Sequence, residues 1–255
     1  MSHRAKQIGF SQRVRLEWVE QTAELVMAGN DQAAINVALQ DLLKDKVSIA
    51  GDAVRGNREK IITILFKMWV AVPRGLEELR ADGLEILRTL PHDARIAVHW
   101  GMALAAYPFW GAVASQTGRL LRLQGTASAS QIQRRVREQY GERETVSRAA
   151  RRVLRSLMDW GVLSETGQKG VYRQGEILRI QDAQLIAWLI EASLHARENC
   201  SGAIRDLLDS PSLFPFRLSQ IPADHLASKS PRLELFRDGM DDNLVMLRKQ
   251  TTRKC

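Results

Sequence analysis

The segment at residues 142–163, ERETVSRAARRVLRSLMDWGVL, has the most regular pattern in the chain. Its apolar residues recur three and four positions apart from Val146 to Met158, which is the spacing of one face of an α-helix. The opposite face of that helix then carries four guanidinium groups, those of Arg148, Arg151, Arg152 and Arg155. The pattern predicts a helix whose apolar back packs against the protein. Its basic front is typical either of a solvated surface or of a helix that lies against phosphates.

The net charge of the chain is concentrated around this helix. The 255 residues contain 37 Lys and Arg against 29 Asp and Glu, a net charge of +8. Residues 119–173 alone contain 12 Lys and Arg against 5 Asp and Glu, which is a net charge of +7. Because each cation that neutralises a phosphate releases condensed counterions, this concentration favours a polyanionic partner. A solubilising surface is the alternative explanation.

The elements around the basic helix are predicted to follow the order of a winged helix. The patterns predict three consecutive helices, over residues 108–124, 130–140 and 144–159. Ser130 is the expected N-cap of the second helix, and Gly161 is expected just past the end of the third. Two short strands follow around a Gly-containing turn, at residues 162–165 and 171–173. Three helices and a hairpin in this order indicate a winged helix-turn-helix.

For the whole chain we predict a mainly α fold in three parts. Residues 1–90 form a helical N-terminal domain of balanced charge, with a structural or protein-binding role. Residues 91–178 form the winged-helix domain, and residues 179–255 form a C-terminal helical segment that ends in a small β-hairpin around Asp238 and Gly239.

The two longest apolar runs are expected to be buried helices. The run at 61–72 is too short for a membrane span, and Pro108 breaks the run at 96–114, whereas a span needs roughly 20 uninterrupted apolar residues. The N-terminus has no apolar stretch of the kind that an export signal needs. Cys200 and Cys255 are too far apart in sequence to suggest a zinc site or a disulfide framework. A cytoplasmic protein with no membrane segment is the expectation.

The candidate DNA-binding residues follow from the helix pair at 130–140 and 144–159. In a helix-turn-helix the second helix of the pair enters the major groove, and its outward side chains reach bases and phosphates. The groove of duplex DNA admits a helix, whereas the deep, narrow groove of RNA does not. The candidates are the outward polar residues of both helices and of the wing: Arg134, Arg135, Arg137, Arg143, Thr145, Ser147, Arg148, Arg151, Arg152, Arg155, Lys169 and Arg173.

Catalytic motifs are absent from the sequence. It has no GxxxxGK loop, no HExxH, no GxSxG and no paired cysteines. His99 lies in an apolar helix and is expected to be a core residue. The acidic turn of Asp238, Asp241 and Asp242 is explained by hairpin chemistry without a metal. We therefore predict no catalytic residues, no metal and no cofactor.

The order of parts resembles the BrxA family, small DNA-binding accessory proteins of bacterial BREX phage-defence systems. The likeness is carried by LRTLPHDARIAVHWGMALAAYPFWGAVASQTGRLLRLQG at residues 87–125, followed by the basic helix and DWGVLSETG at residues 159–167. Tyr107, Pro108 and Phe109 join the apolar helix to the winged-helix segment. The resemblance implies non-catalytic binding to double-stranded DNA and partners among other defence proteins. Two alternatives stay open: a winged-helix transcription regulator, and an assembly subunit that docks proteins through its N-terminal helices and an apolar helix at 181–194.

Overall fold

A computed structural model of the chain describes residues 7–47, 56–238 and 242–248. These residues contain eleven α-helices and eight short strands, so the fold is mainly helical, as the patterns predict. The helices are α1 (Leu16–Met27), α2 (Gln32–Leu43), α3 (Asn57–Trp69), α4 (Glu77–Thr89), α5 (Ile96–Ala106), α6 (Pro108–Gln124), α7 (Ala129–Tyr140), α8 (Glu144–Asp159), α9 (Ala183–His195), α10 (Ile204–Leu208) and α11 (Ala223–Lys229). The strands are β1 (Thr126–Ser128), β2 (Leu163–Glu165), β3 (Val171–Gln174), β4 (Leu178–Ile180), β5 (Ser201–Ala203), β6 (Phe216–Leu218), β7 (Leu233–Asp238) and β8 (Asp242–Leu247).

The strands form three small sheets. One is antiparallel in the order β1-β3-β2, a second pairs β4 with β6 in parallel, and the third is antiparallel in the order β5-β8-β7. The predicted strands at 162–165 and 171–173 are confirmed as β2 and β3. The predicted C-terminal hairpin is confirmed as β7 and β8, and its turn, with Gly239 and Asp241, lies outside the described residues.

Helices α5 and α9 form the centre of the core. Residues 97–106 of α5 and 185–194 of α9 are buried without interruption, as expected of helices that are apolar on all sides. The two helices pack closely because Gly101 has no side chain: a Cβ there would lie 2.8 Å from Cη2 of Trp188 and closer still to its Cζ3. The apolar residues 185–194 are therefore buried within the chain, and the exposed positions of the 181–194 segment are the polar Gln181, Asp182 and Gln184.

Buried apolar residues from all three predicted parts of the chain join in one continuous cluster. It includes all six tryptophans of the sequence. The domain boundaries at residues 90 and 178 stay predictions.

Two buried carboxylates hold the outer elements to this core. Glu20 of α1 accepts from Arg95 and from the fully buried His99 of α5. Burial would raise the pKa of Glu20, but these two partners lower it to about 2. Burial lowers the pKa of His99, and its Nε2 donates a hydrogen bond to the Glu20 carboxylate.

On the other side of the core, Glu191 of α9 is fully buried and accepts from Arg232 at 2.6 Å and from Ser230 at 2.8 Å. Arg232 also donates to Asp82 of α4. These bonds join β7 and α4 to the core helix. Like Glu20, Glu191 is a buried charge that is stable only because it is paired.

Within the described residues, no single helix has both the length and the apolar composition for a membrane span. The stretch His92–Ala106 passes such a test only in combination with Pro108–Gln124, and the two are bent by 117° relative to each other.

Candidate nucleic-acid interface

The apolar back of α8 is buried as the sequence pattern predicts. Val146, Ala150, Val153, Leu154 and Leu157 are fully inaccessible to solvent. They pack chiefly against α7, with further contacts to α6 and β2. Helix α7 supplies the other half of this contact through three buried residues, Ile132, Val136 and Tyr140.

Local sequence signals define the ends of this helix pair. The N-cap of α7 is Ser128 rather than the expected Ser130: its hydroxyl accepts from the backbone N–H of Gln131 at 3.2 Å, and the Gln131 side chain accepts from the backbone of Ser128. The N-cap lies two residues earlier than expected because β1, which the sequence patterns missed, ends at Ser128, and Ser128 and Gln131 form a reciprocal capping box. Gly161 follows α8 with a φ of +74°, the left-handed conformation expected there.

The exposed front of α8 carries arginines with weak internal partners. The side chains of Arg148 and Arg151 are 59% and 52% exposed. Their shared partner is Glu144, at 3.9 Å from Arg148 and 3.2 Å from Arg151. Exposed ion pairs of this kind contribute only about 0–1 kcal/mol, so a phosphate can replace Glu144 at low cost.

A groove separates α8 from the turn between β2 and β3, and we call it the hairpin groove. Its volume is about 380 Å³, and Met158 and Tyr172 provide its apolar lining. Arg13, Arg151, Arg155 and Lys169 bring four cations to it, and Asp159, which is paired with Arg13, and Glu165 bring two carboxylates. Neither Arg155 nor Lys169 forms an ion pair with any described residue. The structure thus brings together three predicted residues from two separate elements.

Residues 7–15 run along α8 as an irregular segment with a tight turn at Gly9, and we call them the strap. Phe10 is fully buried and packs edge-on against Tyr107, with ring centroids 5.3 Å apart. The backbone N–H of Val14 donates to the Ser156 hydroxyl at 2.8 Å, and Trp160 Nε1 donates to the Val14 carbonyl at 3.1 Å. These contacts fix the strap to the C-terminal half of α8.

The strap changes the interpretation of Arg152. This arginine was expected on the free front of α8, but it is half-buried and donates a hydrogen bond to the backbone carbonyl of Ser11. Its pKa is lowered by burial and by the positive charges of Arg148 and Arg155. Arg152 therefore has a structural contact in addition to any contact with a ligand.

A second groove lies between the strap, α3 and α8, and we call it the strap groove. It has a volume of about 420 Å³ and is lined by Ile8, Gly9, Ser11, Lys60, Thr145, Arg148, Ala149 and Arg152. Among the residues that the structure describes, three cations from two helices line it and no carboxylate does. Lys60 was not among the predicted residues, because 88 positions separate it from Arg148 and only the tertiary fold brings it to α8.

The other predicted residues occupy different positions. Ser147 is 5% exposed, so its expected place on the front of α8 is wrong: it follows Val146 on the buried side. Arg143 and Thr145 are exposed at the start of α8, and Arg143 donates to the Tyr140 carbonyl at 3.2 Å. Arg173 is exposed on β3 and donates to the Ser164 hydroxyl at 3.1 Å.

The arginines of α7 stand apart from both grooves. Arg134 lies 3.9 Å from Glu138 and Arg137 lies 3.3 Å from Glu142, while Arg135 is half-buried. None of the three lines the hairpin groove or the strap groove. They add positive charge to the neighbouring surface rather than to the grooves themselves.

Nothing in the described residues groups three or more His, Cys, Asp or Glu side chains closely enough to hold a metal ion. Comparison with known proteins gives no relative to set beside this arrangement: no family model, no curated protein and no solved structure matches the chain.

Proposed function

We propose that the chain is a non-catalytic protein that binds duplex DNA through a winged helix-turn-helix formed by α6, β1, α7, α8, β2 and β3. The element order and the sheet order β1-β3-β2 support this class, because α7 and α8 form the helix pair and the β2–β3 turn then has the position of a wing. In this proposal α8 enters the major groove and Lys169 lies beside the DNA backbone.

The observation that carries the proposal is the set of exposed cations on α8 and the adjacent turn. Arg151, Arg155 and Lys169 line one groove, and Glu144 is the only carboxylate among the described residues that forms an ion pair with any of them. With Arg13, the cations of this groove outnumber its two carboxylates, Asp159 and Glu165, and a phosphate backbone would offset the excess positive charge and release counterions. Arg143 and Thr145, at the start of α8, have the position from which a recognition helix reaches base edges.

Within this class, we propose an accessory role in a bacterial phage-defence system of the BREX type, acting with other defence proteins in the cytoplasm. The support for this narrower assignment is the order of parts that resembles the BrxA family. A genomic neighbourhood with a methyltransferase and a large ATPase is the expected context. A neighbourhood of metabolic genes under a shared promoter would instead favour a transcription regulator.

The direct test is a titration of labelled random duplex DNA with the purified chain at several salt concentrations. We expect binding at low salt that weakens steeply as salt rises, and no cleavage when Mg²⁺ is added. An absence of binding at low salt would overturn the proposal and favour an assembly subunit whose arginines meet an acidic protein. Metal-dependent cleavage would overturn the non-catalytic part alone.

A further inference from the structure

The two cationic grooves flank the exposed face of α8. Arg148 and Arg152 belong to the strap groove, and Arg151 and Arg155 belong to the hairpin groove. Positions three apart on an α-helix differ by about 60° in direction, so the two arginine pairs point to either side of the midline of the exposed face of α8. A helix in a major groove has a phosphate backbone on each side.

We infer that the strap groove is a second phosphate-binding site, formed by Lys60, Arg148 and Arg152, which receives the DNA backbone on the side of α8 opposite the hairpin groove. This inference rests on the proposed function. It extends the DNA-binding surface to α3 and to the strap, which belong to the N-terminal region and lie outside the winged helix.

The chemistry of the groove matches a phosphate. Its volume of about 420 Å³ is open to solvent, its cations come from two helices, and the backbone of Gly9 and Ser11 forms one wall. Burial and the neighbouring cations Arg148 and Arg155 lower the pKa of Arg152, so an anion here would relieve a repulsion that exists in the free protein. Lys60 forms no ion pair with the described residues, although Glu59 is next to it in sequence.

Packing and hydrogen bonds within the protein hold the walls of the groove. Phe10 fixes the strap to Tyr107, and Val14 fixes it to Ser156 and Trp160. Arg152 itself is held by the Ser11 carbonyl. A rigid, preformed cationic site binds an anion without first having to order its side chains.

The test uses Lys60, because this side chain is exposed and has no structural partner among the described residues. Affinity for a random duplex is measured for wild type, Lys60→Ala and Lys60→Arg across salt concentrations. The matched control is Lys229→Ala, which removes an exposed lysine from α11, a helix that packs on α9 and β7. Helical circular dichroism confirms that each variant is folded.

We expect Lys60→Ala to bind about 8-fold more weakly at 0.1 M salt and to lower the slope of log affinity against log salt by about 0.9, the value of one phosphate contact. Lys60→Arg restores both quantities, and Lys229→Ala leaves both unchanged. Wild-type affinity and slope in Lys60→Ala would overturn the inference while the proposed function stood. A wild-type chain that binds no duplex would overturn both.

Discussion

The combined replacement of Arg151 and Arg155 by Ala gives the sharpest test of DNA binding. Both side chains are exposed, both line the hairpin groove, and neither has a hydrogen bond to the backbone of the strap. This pair is a cleaner choice than Arg151 with Arg152, because loss of Arg152 also removes the bond to Ser11. Ala has the highest helix propensity, so the two replacements keep α8 intact.

The expected magnitude follows from counterion release. Six cations are exposed on α8, on the residue before it and on the hairpin that follows it: Arg143, Arg148, Arg151, Arg155, Lys169 and Arg173. If all six contact phosphates, together they contribute about −5.4 to the slope of log affinity against log salt, since each contact contributes about 0.9. Removing two contacts reduces this contribution to about −3.6. Each lost contact lowers affinity about 8-fold at 0.1 M salt, so the double variant should bind about 60-fold more weakly.

The assay is fluorescence anisotropy of a labelled random duplex between about 50 and 300 mM salt, a range in which both slopes can be measured. The control is Arg74→Ala with Arg205→Ala, which removes the same charge from exposed positions outside both grooves. An equal loss of affinity in the control would show that only the net charge matters. An unchanged slope in the Arg151 and Arg155 variant would refute the assignment of phosphate contacts to α8.

Three further predictions concern stability. Gly101→Ala should lower the free energy of unfolding by about 1–3 kcal/mol in urea titrations, because its Cβ would collide with the buried ring of Trp188; an increase would show that the ring can shift. Arg152→Ala should cost about 1–3 kcal/mol by leaving the Ser11 carbonyl without its partner, and Arg148→Ala, the control, should cost less than 1 kcal/mol. Because the pKa of Glu20 is lowered to about 2, its contribution to the free energy of unfolding is complete above the ordinary carboxyl pKa of 4.5 and is lost as pH falls toward 2. Glu20→Gln should weaken this pH dependence in unfolding curves measured across that range. An unchanged pH dependence would contradict the pairing of Glu20 with Arg95 and His99.

The sequence by itself determined the elements whose signals are local. The apolar spacing from Val146 to Met158 predicted α8 and its buried back, and Gly161 predicted its end. Alternating residues predicted the C-terminal hairpin. Each of these signals acts within one or two turns of chain, where periodicity and capping are physically decided. The missed strand β1 spans three residues, which is too short for any periodicity, and it exists because β3 pairs with it.

The tertiary structure alone decided which cations are free to meet a ligand. The sequence contains no signal that the strap lies along α8, that it holds Arg152 through Ser11, or that Lys60 of α3 faces Arg148 across a groove. The sequence also could not show that Ser147 is buried, since serine is compatible with both the buried and the exposed face of a helix near the boundary between them. The physical reason is that these contacts join residues more than 80 positions apart. Helical periodicity determines the direction in which a side chain leaves the helix axis. Tertiary packing alone determines which other residues that side chain meets.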